Sequence, residues 1–262
     1  MATGVLPILL GRATRLMEHV SGASKHYLAT LELGATTDTL DAEGKVVQRR
    51  AVDPGLGADQ VSSALERFTG SVRQKVPVYS AVRRDGKRLY EMARAGLEVD
   101  QPERVVRIDE IELVEVRLPH VVISVTCGKG TYIRQLASDI GEALRCGAHL
   151  TGLRRLRVGR FDLAGALEGA RLEQATRRHL VARLRPLLDV VSHLDRLEVD
   201  ARQATALAYG QSIAIDSKET LEPVAAKLLD GDLVALGKTS EGRFHPQRVF
   251  VSAEDLSPTP WA

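Results

Sequence analysis

The stretch CGKGTYIRQL, Cys127 to Leu136, holds two glycines, a tyrosine and an arginine in close succession. Gly128 and Gly130 let a chain turn tightly where a strand ends. Tyr132 and Arg134 then open a helix whose first amides can face an anion. One reading is a strand-to-helix turn whose arginine pairs with a surface acid. The other is a site in which ring, guanidinium and amides meet a ligand. Spacing alone leaves both open.

Two further stretches carry charge that could do work. RCGAHLTGLRRLRVGR (145–160) contains five arginines and no acid. Guanidinium forks suit phosphates, and so pure a cluster is awkward unless a polyanion neutralises it. The plainer reading is a solvated helix or strand face. QKVPVYSAVRRDGKRLYEMAR (74–94) is also basic, here interleaved with Tyr79 and Tyr90. Two such stretches with aromatic neighbours point to nucleic acid. Arg83, Arg84, Lys87, Arg154, Arg155 and Arg157 are the candidates for backbone contact.

The elements that must position these residues follow from periodicity. SKHYLATLELG (24–34) alternates as a strand, and TTDTLDAEGKV after it reads as a loop. Asp59 is placed to cap a helix with Val61, Ala64, Leu65 and Phe68 on one face. Leu89, Met92 and Ala93 suggest a second helix before Gly96. Residues 104–118 and 120–128 are strand-rich, with Pro119 at the turn between them. Ile133, Leu136, Ala137, Ile140 and Leu144 share one helical face, and Gly147 is a plausible stop. RLEQATRRHLVARLRPLL reads as an Arg-rich helical segment interrupted at Pro186. Beyond it come a short helix ending at Gly210 and small strands around PVAAKLL, DLVALG and RVFV.

The chain's 262 residues can bury a substantial core. Its net charge of +2 conceals an asymmetry: from Val190 onward 7 Lys/Arg face 11 Asp/Glu, so the positive charge lies in the N-terminal part. That shift suggests a boundary near residue 190. Cys127 and Cys146 fit reduced, packed thiols rather than a zinc set, and no histidine pair has helical ligand spacing. VLPILL (5–10) is too short for a signal peptide or a spanning helix. A cytoplasmic protein is the expectation.

ATGVLP, KHYLATLELGATTDTLDAEG, PVYSAVRRDGKRLYEMAR, CGKGTYIR and CGAHLTGLRRLRVG occur in this order. Together they resemble the tRNA pseudouridine synthase B (TruB) family from Met1 to about Gly159. AYGQSI, GDLVALG and HPQRVF resemble, more weakly, the PUA-like RNA-binding domain that ends many members. The resemblance implies an α+β pseudouridine synthase fold over residues 1–189, a mixed and largely antiparallel sheet flanked by helices. A small β-rich PUA-like domain would span 190–262.

The implied activity isomerises the T-loop uridine at tRNA position 55 to pseudouridine, with tRNA (its T-arm) as partner and no cofactor or metal. Such a uridine must be flipped out of its stack before its base can be reached. By resemblance Tyr27 lies against the uracil and removes the C5 proton as a general base. Arg134 pairs with the nucleophilic carboxylate, and Tyr132 and Leu153 line the pocket. Asp38 and Asp41 match acidic positions near the site, with no role assigned. The family's ATG-LP follows Gly-His-Thr-Gly-x-Leu-Asp-Pro, whose Asp is the nucleophile and would fall two positions before Met1. The expectation is therefore a chain that begins after its nucleophile and is inactive as given. The rival readings are a non-catalytic tRNA-binding or tRNA-folding protein, and a generic RNA-binding protein.

Overall fold

The computed structural model describes residues 2–84, 86–95, 97 and 101–256. The chain forms two compact units, Met1–Pro7 with Gly22–Ala166, and Ile8–Ser21 with Leu167–Ala262.

The first unit is built on a seven-stranded sheet. Its strands run in the order Ala2–Gly4, Ala148–Val158, Lys25–Leu33, His120–Cys127, Glu103–Arg117 and Gly70–Lys75, with Phe161–Asp162 paired onto Ala148–Val158. Only Ala2–Gly4 pairs in parallel; the other neighbours are antiparallel. His120–Cys127 shows why the sheet forms. Val121, Ile123, Val125 and Cys127 are buried while the residues between them are not, the period-two pattern of a strand with one face on a core. Lys25–Leu33 lies between two long strands, so its register is held from both sides: Tyr27 is opposite Arg155 on one neighbour and Val125 on the other.

Helices Ala58–Glu66 and Ile133–Ala143 contribute to the same core. Leu136 and Ile140 of the second are fully buried, each adding roughly 1.5–3 kcal/mol of apolar burial. This α+β arrangement is the one expected, and three local features differ from the sequence reading. The helix after residue 57 begins from Gly57, so Asp59 lies in its first turn rather than at its cap. Ala35–Thr37 and Val46–Arg49 pair as a short antiparallel ribbon where a loop was expected. Leu40, at φ 65°, helps the chain reverse between them. The Arg-rich segment is not one helix but two short ones, Gly169–Leu172 and Arg177–Val181, followed by a 3-10 turn at Leu187–Asp189. Leu172, Val181 and Leu184 are exposed there, so no core face sustains a longer helix.

The second unit carries a five-stranded sheet ordered Asp195–Val199, Leu221–Leu228, Leu233–Ser240, Arg243–Val249, Ile213–Ala214. Helix Ala201–Ala208 starts with a reciprocal box between Asp200 and Gln203. Ile8–Ser21 belongs to this unit because Leu16 is fully buried in a cluster with Val191, Ala225, Leu233 and Phe250. Leu187 and Leu188 pack on that cluster too. The C-terminal part of this unit runs from Leu167, whereas the shift in composition lies near residue 190.

Gly4 and Gly141 are among the glycines dictated by space. Gly4 sits at φ 102°, and a Cβ there would lie 2.1 Å from the Arg155 carbonyl oxygen. Gly141, within Ile133–Ala143, would place a Cβ 2.1 Å from the Ala148 amide nitrogen. Helix propensity alone predicts that Gly141→Ala stabilises by about 1 kcal/mol. The close approach of strand to helix predicts the reverse, a loss of roughly 1–3 kcal/mol and a Tm lowered by about 2–10 °C. A melting curve decides; a raised Tm would show that helix and strand are not held that close.

Candidate active site

A cavity of about 320 Å³ opens in the first unit, lined among others by Tyr27, Asp41, Tyr132, Arg134 and Leu153. Four of these five were named from the sequence as catalytic or substrate-binding residues: Tyr27, Tyr132, Arg134 and Leu153. They come from three separate elements that only the sheet brings together.

Tyr27 sits near the start of Lys25–Leu33 and is half-buried. Burial pushes its phenol above the usual tyrosine range, and a hydrogen bond from the Arg155 guanidinium pulls it partly back. The ring is therefore a neutral, partly desolvated surface with a cation at its oxygen. Leu153 is half-buried on the next strand, opposite Ala29 on one side and Ala2 on the other.

Arg134 lies at the start of helix Ile133–Ala143, beyond the turn that ends the preceding strand. There the Gly128 amide donates to Arg107 O at 2.8 Å, and Gly130 adopts φ 83°. Arg134 Nη1 donates to Asp41 Oδ2 at 3.2 Å, and Nη2 donates to the Tyr79 carbonyl. Asp41 is fixed in turn: its Oδ1 accepts from the Thr39 hydroxyl at 2.6 Å and from the Glu43 amide at 3.2 Å. The backbone beside it is tied to Leu150 by Leu150 N to Leu40 O and Ala42 N to Leu150 O. Of the two acids left without a role, Asp41 meets Arg134 in the cavity. Asp38 instead accepts the Lys45 amide at 2.8 Å and serves the turn. Glu43, not singled out from the sequence, also lines the cavity.

The basic candidates divide. Arg83 and Lys87 are exposed on a two-stranded hairpin, Arg83–Arg84 with Lys87–Arg88; the side chain of Arg84 lies outside the described residues. Arg88 donates to the Tyr90 hydroxyl at 3.0 Å. On Ala148–Val158, Arg154 is exposed, whereas Arg155 is half-buried and donates from Nε to Val5 O at 2.7 Å. Arg157 is half-buried and reaches Gly159 O. The arginine run is thus a strand whose members face different surroundings, with Arg155 turned to Tyr27 and the Val5 backbone.

Sequence reasoning missed the groups behind the cavity wall. The buried Gln74 side chain meets the Tyr132 backbone, and Arg104 stands over the Tyr132 ring. Gln74 was visible only as the first letter of a basic stretch, and nothing in its type or spacing marks it. Cys127 and Cys146 are buried and unpaired. Among the described residues no cluster of His, Cys, Asp or Glu has the makings of a metal site, and no helix is long and apolar enough to cross a membrane.

Residues 1–133 match the family model described as TruB family pseudouridylate synthase (N terminal domain), and residues 134–197 the one described as tRNA pseudouridylate synthase B C-terminal domain. The tRNA pseudouridine synthase B of Dehalococcoides mccartyi (strain CBDB1) is 41% identical over 252 residues, 95% of this chain and 84% of the relative. That of Burkholderia pseudomallei (strain K96243) is 43% identical over 259 residues, 96% and 82% respectively. In three dimensions the chain is similar to a chain of an H/ACA RNP bound to a substrate RNA containing 2'-deoxyuridine, with a TM-score of 0.72 at 23% identity over 99% of this chain and 76% of that one. It is also similar to a chain of a Cbf5-Nop10-Gar1 complex, with a TM-score of 0.71 at 24% identity over 98% and 76%. At those identities the structural likeness speaks for the fold, and the sequence matches carry the assignment: the chain belongs to the TruB family of tRNA pseudouridine synthases.

Proposed function

We propose that this chain supplies the base pocket and RNA-binding surface for converting the T-loop uridine of tRNA, position 55, to pseudouridine. The observation that carries this reading is the cavity in which Tyr27, Tyr132 and Leu153 surround the Arg134–Asp41 pair. Its volume is at the small end of ligand pockets, about 300–1,000 Å³, which suits one flipped nucleoside.

The reaction breaks the bond between uracil N1 and ribose C1', turns the base while it stays bound, and joins C5 to C1'. C5 then loses a proton and N1 gains one, so no redox partner is required. Tyr27 offers its ring to the uracil face and its oxygen to the C5 proton. A raised phenol pKa makes the phenolate scarce but strongly basic, and the nearby Arg155 moderates both effects. Arg134 presents a planar fork already oriented by Asp41 and Tyr79 O. On this reading the nucleophilic carboxylate belongs to the family's Gly-His-Thr-Gly-x-Leu-Asp-Pro segment, which residues 1–262 do not include. The chemistry is therefore tested on a chain that carries that segment. The exposed Arg83, Lys87 and Arg154 track phosphates, and the second unit adds RNA contact as a PUA-like domain.

Arg154→Glu, alone and with Lys87→Glu, is expected to weaken tRNA binding. Each lost phosphate contact should lower the slope of log K against log salt by about one. Arg155 is kept intact because its contacts with Val5 and Tyr27 would confuse the result. Isotherms that do not change across a salt series would make these residues a merely solvated face.

Arg134→Lys and Arg134→Ala, in the chain carrying the nucleophile segment, are expected to slow single-turnover conversion by about 100-fold or more. Lysine keeps the charge but cannot hold Asp41 and Tyr79 O in one plane. tRNA affinity should stay near the parent's, and Tm should fall by only a few degrees, the cost of leaving Asp41 and Tyr79 O without their donor. Normal rates would overturn the role of Arg134. A parent that binds tRNA yet never converts it would favour the non-catalytic tRNA-binding reading.

A further inference from the structure

Behind the cavity wall, the side chain of Gln74 makes both hydrogen bonds that a neighbouring β-strand would make. Its Nε2 donates to the Tyr132 carbonyl at 3.1 Å, and its Oε1 accepts from the Tyr132 amide at 2.8 Å. The two residues are 58 positions apart in sequence. Gln74 is 1% exposed, so water does not compete for either bond. Bonds to the N–H and the C=O of one residue hold the two peptide groups on either side of its Cα, and so fix that residue's backbone as a single bond does not.

A second group grips the same residue. Gly70–Lys75 pairs antiparallel with Glu103–Arg117, and in that register Arg104 is directly opposite Gln74. The Arg104 guanidinium carbon lies 5.5 Å from the centroid of the Tyr132 ring, a cation–π distance. A Cβ on Gly130 would come within 3.2 Å of Arg104 Nη1. The glycine turn thus leaves room for the arginine to reach the ring. Cross-strand neighbours hold one tyrosine, one by its backbone and the other by its face.

Helix Ile133–Ala143 itself holds only the Tyr132 carbonyl, which also accepts the Leu136 amide at 3.0 Å, and leaves its amide and ring to other groups. Tyr132 is the cap residue of that helix, and its side chain makes no capping bond. Tyr132 lines the cavity, and Arg134 follows two residues later on the same helical start. A ring free to swing would present no fixed wall to a base.

We propose that Gln74 and Arg104 are positioning residues for Tyr132, setting the wall of the cavity against which the target uracil is recognised. The proposal rests on reading the cavity as a uridine site. It separates from a purely structural role by what is lost. A structural role weakens folding or all RNA binding alike, whereas a positioning role removes discrimination for the base.

The test uses two RNAs, a T-arm stem-loop with uridine at the target position and the same stem-loop with an abasic ribose there. The parent chain is expected to prefer the uridine RNA. Gln74→Met and Arg104→Gln should each reduce that preference about fivefold, the scale of one lost hydrogen bond or ring contact. Affinity for the abasic RNA should stay within about twofold. In a Tyr132→Ala background Arg104→Gln should change nothing further, because both act through the same ring. Arg104→Gln replaces a half-buried side chain and carries the test should Gln74→Met fail to fold. If the variants keep the parent's preference, lose affinity for both RNAs equally, or add to Tyr132→Ala, the positioning role is overturned. A parent without any preference for uridine overturns the functional reading itself, and the positioning role with it.

Discussion

The pocket depends first on satisfying one partly buried guanidinium. Arg134 exposes about a quarter of its side chain and carries donors only, so it must find acceptors that are themselves held still. It takes one from Asp41 and one from the Tyr79 carbonyl. Those acceptors belong to different segments, the turn after Ala35–Thr37 and the stretch leading to the basic hairpin. One side chain therefore ties the helix start, the acidic turn and the hairpin's root together. Thr39 and the Glu43 amide hold Asp41's other oxygen, so the ion pair is a braced contact rather than a loose surface bridge.

The sheet provides the second constraint. Strand alternation sends neighbouring side chains to opposite faces. It separates Arg154, which faces solvent, from Arg155, which faces Tyr27 and the Val5 carbonyl. Register shifts near Gly152 and Arg157 locally break the strict pattern, and Arg157 is left half-buried. What looks like a uniform basic run becomes an outward phosphate candidate beside an inward residue that tunes a tyrosine. Gly4 is part of the same construction, because only a residue without Cβ lets Ala2–Gly4 lie against the Arg155 backbone.

The cavity wall also rests on groups that are not part of its lining. Gln74 and Arg104 lie on adjacent strands at the sheet's far side in strand order, and both converge on Tyr132. A buried side-chain amide that copies a strand edge is a stringent device: without it the Tyr132 amide loses its acceptor, while the Tyr132 carbonyl keeps only the Leu136 amide. Such residues combine the burial of a core position with the polarity of a site.

Much was written in local pattern. Apolar alternation marked Lys25–Leu33 and His120–Cys127, the 3.6 period marked Ile133–Ala143, and the family's ordered motifs pointed to Tyr27, Tyr132, Arg134 and Leu153. The strands and the helix were legible because period and residue type are properties of short stretches, whereas the four residues came from the resemblance to a family and not from any local pattern. The ribbon Ala35–Thr37 with Val46–Arg49 was not legible, because strands that short have no periodicity to read. The choice of Asp41 over Asp38 as partner of Arg134, the inward turn of Arg155 and the grip of Gln74 on Tyr132 were decided only by tertiary structure. Each is a contact between residues far apart in the chain, settled by strand register and by burial. Sequence determined which chemistry was available, and packing determined which groups are dry enough and close enough to use it.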